Sequence, residues 1–74
     1  MTAREWIAAY ASALGTAPPG DDEVETILAL AAAAAHASER TAAPVACWMA
    51  ALSGRSAHDA LALAREVEGS QPAS

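Results

Sequence analysis

The sequence predicts an all-α fold, a compact bundle of four short helices, and three observations carry that reading. Alanine, the residue with the best helix propensity, occupies 23 of the 74 positions. Apolar residues recur at helical spacing in four segments, each bounded by its own capping, glycine or proline signals. No stretch alternates apolar and polar residues for long, and aromatic and β-branched residues are sparse, so no strand is expected. The length suits one domain, assigned to residues 1–69, with 70–74 as a flexible C-terminal tail.

The first helix is expected to start at Thr2, where Glu5 completes a Thr-x-x-Glu capping box. Ala3, Ile7, Tyr10 and Leu14 follow at helical spacing with Trp6 beside them, and Gly15 stands where a helix-ending glycine belongs. Thr16-Ala17-Pro18-Pro19-Gly20 breaks the chain. The second helix is expected from Asp21 or Asp22, with Asp22 and Glu25 as a box-like pair and acids crowding its first turn. Val24, Ile27, Leu28, Ala31 and Ala35 form its stripe. Its other faces are nearly as apolar, which places it at the centre. Its end is expected between Ser38 and Arg40.

Pro44 fits only a first helical turn, so the third helix starts near Ala42. It presents Val45, Trp48, Met49 and Leu52 at i, i+3, i+4 and i+7, and stops at Gly54. Ser56 caps the fourth helix, with Asp59 at the box position. Ala57, Ala60, Leu61, Ala64 and Val67 share a stripe that Gly69 closes.

Composition excludes several classes of function. A pI near 4.6 argues against nucleic acid as a partner. With Cys47 as the single cysteine, no intramolecular disulfide forms. The N-terminus does not read as a signal peptide and none is expected, and no apolar run approaches the ~20 residues of a membrane span, so a cytoplasmic location is expected. Leu, Ile and Val together supply only 11 residues, and removing alanine leaves 17 larger apolar side chains. So small a domain buries only ~60% of its unfolded surface, so its core must be compact or shared with a partner.

Candidate chemistry is thin. His36 and Arg40 lie one helical turn apart and form either a small cationic spot for a phosphate or carboxylate, or a structural end to the second helix. The start of the third helix, immediately downstream, has N–H groups that can point at the same ligand. Cys47 sits among apolar neighbours, which favours a buried thiol over a nucleophile paired with His36 or His58. One cysteine and two histidines lack ligand-pair spacing, so no metal site or cofactor is expected. Trp6, Tyr10 and Trp48 sit on stripes and are expected in the core, with Trp6 and Trp48 as candidate partner anchors otherwise. The chain has neither the Asp-Ser of an acyl carrier nor a Gly-rich phosphate loop. No catalytic residue is assigned, and the domain is not expected to be an enzyme.

One stretch carries a resemblance. Ala35-His36-Ala37-Ser38-Glu39-Arg40-Thr41-Ala42-Ala43-Pro44, with Trp6, Leu14-Gly15 and Leu52-Ser53-Gly54 around it, resembles a family of small uncharacterised bacterial helical domains. Members of that family occur alone or as a C-terminal appendage of molybdenum cofactor guanylyltransferases. The similarity spans residues ~5–68, and the matching positions are His36, Arg40, Ala42, Ala43 and Pro44. The resemblance implies a role near molybdopterin guanine dinucleotide synthesis without the transferase chemistry, which belongs to a separate domain. The expectation is a non-catalytic accessory domain that binds a molybdenum cofactor biosynthetic protein or a second copy of itself. A pocket for a phosphorylated pterin or nucleotide at the 36–44 corner is the alternative, and a thiol-dependent enzyme is a remote one. In the accessory reading Arg40 braces the turn, while Ala42 and Ala43 admit close helix approach.

Overall fold

The computed structural model describes residues 1–70. They form α1 (Ala3–Leu14), α2 (Asp21–Ala37), α3 (Ala42–Leu52) and α4 (Ala57–Ser70), the all-α arrangement read from the sequence.

Helix α1 opens on the expected capping box. The Glu5 N–H donates to Thr2 Oγ1 at 3.1 Å, and the Thr2 N–H donates to Glu5 Oε1 at 3.0 Å. At the other end Gly15 adopts φ +78°, and its N–H and that of Thr16 donate to the carbonyls of Ser12 and Ala11. This is a Schellman ending, and it needs a residue that tolerates the left-handed region. Helix α4 starts as read, with the Asp59 N–H on Ser56 Oγ at 3.1 Å.

Helix α2 starts at Asp21 as read, but its cap and two helix ends differ from expectation. The N-cap of α2 is Gly20, whose carbonyl accepts from the Val24 N–H at 2.9 Å, so Asp21 and Asp22 lie inside the helix and cap nothing. Their contribution there is charge beside the positive helix end. Helix α2 also stops at Ala37, before Arg40. The N–H and Oγ of Ser38 both donate to the Ala34 carbonyl, and Ser38 turns out of the helical region at φ −142°, ψ −96°. Finally, α4 continues through Gly69 to Ser70. A glycine inside a helix costs only about 1 kcal/mol relative to alanine and does not by itself end one. Of the expected tail, residues 71–74 lie outside the described residues.

Packing centres on α2, which lies against both α3 and α4, while those two touch each other only slightly. Leu30 of α2 and Ala60 and Leu61 of α4 form the buried cluster, with Ala29, Cys47, Ala50 and Ala64 packed around it. Placing α2 at the centre therefore agrees with its all-round apolar character. The core is thin: among the described residues only Ala11, Leu30, Ala60 and Leu61 are buried.

Helix α1 stands apart. It makes no close backbone approach to another helix, and the molecule measures 43 × 24 × 18 Å. The radius of gyration is 13.4 Å, against roughly 11 Å for a compact chain of this length. Arg4 reaches Asp21 at 2.9 Å, but both side chains are well exposed, so this ion pair contributes less than about 1 kcal/mol.

That separation makes the α1 cap a local device. Thr2→Ala is expected to cost about 1 kcal/mol. The loss falls on hydrogen-exchange protection at the start of α1 and leaves α2–α4 unchanged. Acid acts on the same device. The backbone hydrogen bond from Thr2, and then its side chain, hold the Glu5 carboxyl below the ordinary glutamate value. A depressed folded-state pKa gives a contribution that is complete above the unfolded value and lost as pH falls through the folded one. Acidification is therefore expected to release protection at Glu5 and Trp6 over that interval. Protection at these amides that does not change with pH contradicts the assignment.

Candidate interaction surface

Helix α3 carries no charged residue, and neither does the chain from Thr41 to Gly54. Two stripes on it satisfy helical spacing: Ala43, Ala46, Cys47 and Ala50, and, two residues further on, Val45, Trp48, Met49 and Leu52. At 100° per residue the stripes lie ~200° apart, on opposite sides of the helix. The small-residue stripe faces inward, and Cys47 and Ala50 pack on the Leu30 cluster. The large stripe faces water, with Val45 57%, Trp48 69%, Met49 60% and Leu52 74% exposed.

This corrects the expected core placement of Trp48 and its stripe. The physical reason lies in α2, whose Ala29 and Ala31–Ala35 offer a shallow surface. Small side chains on the facing helix let the backbones approach, whereas a tryptophan and a methionine would hold them apart and leave voids.

Trp6 and Tyr10 are corrected in the same sense. They stack on the outer side of α1 with ring centroids 4.9 Å apart and planes inclined by 29°. Their exposures are 55% and 50%, and the inner side of α1 is supplied by Ile7 and Ala11. Of the two readings open for the tryptophans, the structure places both where a partner can reach them. Monomeric proteins expose single apolar side chains freely, but a stripe of four large ones is the kind of patch that marks an interaction site.

The 36–44 corner has a different character. His36, Arg40 and Pro44 are exposed, and Ala42 and Ala43 are half-buried. The Ala42 N–H donates to the Glu39 carbonyl at 2.9 Å and the Ala43 N–H to the Arg40 carbonyl at 3.1 Å. Pro44 has no N–H to offer. Two donors that an anion would need at the start of α3 are thus already engaged. Among the described residues the Arg40 guanidinium makes no hydrogen bond and no ion pair, so the turn is braced by main chain. Arg40→Ala is accordingly expected to change stability by less than about 0.5 kcal/mol in urea unfolding. A larger loss means that the guanidinium holds the turn.

A match to a family model decides where the chain belongs. The model describes a domain of unknown function, DUF6457, and it matches residues 1–73. The chain is a member of the DUF6457 family. No curated protein and no solved structure matches it.

Three clefts of this DUF6457 domain lie away from the 36–44 corner. One of about 230 Å³ sits where α2, α3 and α4 converge, with Ile27, Leu30, Cys47 and Ala50 in its wall and Glu23 and Arg55 beside them. It is smaller than the ~300–1,000 Å³ typical of ligand pockets. Cys47 is half-buried there rather than fully buried, and no histidine lines the cleft. His58 borders a separate recess with Asp22, Glu23 and Thr26. An open groove of about 550 Å³ separates α1 from the start of α2, between Arg4, Ile7, Pro18, Pro19 and Val24. Among the described residues no three His, Cys, Asp or Glu side chains gather to hold a metal ion. No described helix is long and apolar enough to cross a membrane.

Proposed function

We propose that this domain is a non-catalytic cytoplasmic accessory module that works by binding protein, in the setting of molybdenum cofactor biosynthesis. The observation that supports binding is the outer face of α3, where Val45, Trp48, Met49 and Leu52 stand in water while alanines face the core. Burying such side chains is worth ~1.5–3 kcal/mol each, a gain the isolated domain forgoes. Tryptophan in particular dominates interface energetics. The setting rests on the resemblance of Ala35–Pro44 to domains appended to molybdenum cofactor guanylyltransferases, where an accessory module would meet the enzyme that joins GTP to molybdopterin.

The test is direct binding between this domain and a molybdenum cofactor guanylyltransferase from the same cell, followed by calorimetry. Saturable binding that Trp48→Glu weakens by at least tenfold is the expected result. No heat at high concentration, with transferase of verified activity, removes the proposed setting. Binding that is indifferent to Trp48→Glu, Met49→Glu and Leu52→Glu removes α3 as the binding face.

A further inference from the structure

We infer that the occupant of the α3 face is a second copy of this chain, docked across a twofold axis at Trp48 and Met49. The inference rests on the reading of α3 as a binding face: a second copy covers it in the isolated protein, and a transferase that binds there displaces that copy.

Charge is the first argument. The chain carries nine acids against four arginines, so two copies repel over most of their surfaces. The segment Thr41–Gly54 holds none of those charges. Two copies can meet on it without setting its own side chains against carboxylates, as they could on the equally uncharged stretch 6–20. A strongly basic partner, by contrast, would be drawn to the acidic start of α2, where Asp21, Asp22 and Glu23 lie in one turn.

Symmetry is the second. A twofold contact uses the same patch on both partners, so residue i meets residue j and j meets i. The outer stripe has the same spacing read from either end: one large residue, two small ones, two large, two small, one large. An antiparallel pair of α3 helices therefore sets Val45 of one copy against Leu52 of its partner. Trp48 and Met49 then flank the axis, with the exposed Ala51 at the edge of the contact.

Area is the third. At 57–74% exposure the four side chains present on the order of 500 Å² per copy. Two copies thus bury roughly 1,000 Å², the lower bound for a specific interface, before Pro44 and Ala51 add their exposed surface. A monomer with so thin a core also has the most to gain from such burial.

Sedimentation velocity across a range from low to several hundred micromolar tests the inference, with circular dichroism verifying that each variant stays helical. Wild type is expected to pass from monomer to dimer as concentration rises. Trp48→Glu is expected to weaken the dimer at least about 30-fold. Leu52→Glu serves as the second α3 variant should Trp48→Glu not fold. Leu28→Glu, on an outer face of α2 where Leu28 is 62% exposed, is expected to dimerise like wild type. A wild type that stays monomeric at every concentration overturns the inference, as does a dimer unaffected by either α3 variant. If that monomer still binds the transferase through Trp48, self-association fails while the protein-binding reading stands.

Discussion

Leu30→Ala is expected to bring the fold close to its unfolding midpoint at 25 °C. Leu30 is 5% exposed and belongs to the buried cluster in which α2, α3 and α4 meet. Truncating a buried leucine costs about 2–5 kcal/mol, from lost burial and from the cavity left behind. A single core below ~80 residues rarely supplies more than ~3–5 kcal/mol in all. The substitution therefore removes most of the stability of the fold. Circular dichroism and urea unfolding read the outcome. Leu28→Ala, two residues earlier and 62% exposed, is expected to stay within about 0.5 kcal/mol of wild type under dilute conditions. A Leu30→Ala loss below about 1 kcal/mol contradicts the core placed here.

Ala60→Leu is expected to destabilise by about 1–3 kcal/mol, although it adds apolar surface. Ala60 is 8% exposed and shares the cluster with Leu30 and Leu61, where α4 lies against α2. A branched side chain in that contact forces the two helices apart or drives neighbours off their rotamers. Ala62→Leu, exposed on the same helix, carries no such cost. Equal melting temperatures for the two variants would show that close approach at Ala60 is not required.

These two substitutions bear on what was legible in the sequence. The ends of α1 and the start of α4 were readable because Thr2, Gly15 and Ser56 each act through local geometry that a short motif encodes. The start of α2 at Asp21 was readable as well, but its cap was not, since Asp22 and Glu25 satisfy the capping pattern while Gly20 takes the position. The orientation of α3 was not legible from periodicity. With no charge on the helix, the stripe through Ala43 and Ala50 and the stripe through Trp48 and Met49 both satisfy helical spacing, and the larger side chains suggested the core. The available signal was size: α2 is clad in alanine, and α3 meets it through small residues. The same choice recurs on α1, where Ile7 and Ala11 turn inward and Trp6 and Tyr10 outward. At the 36–44 corner the sequence placed His36 and Arg40 near each other. Main-chain bonds that already occupy the Ala42 and Ala43 donors are a tertiary detail that no spacing reveals.

The central claim is that α3 turns its large side chains to water in the single chain and holds the core with its small ones. Fluorescence of Trp48 in a Trp6→Phe background, with acrylamide quenching at the lowest concentration at which the chain stays folded, tests it most directly. The expected result is a red-shifted emission and quenching close to that of free tryptophan, since 69% of this side chain is exposed. A blue-shifted emission that acrylamide does not reach, in a chain shown to be monomeric at that dilution, would place Trp48 in the core and contradict the account.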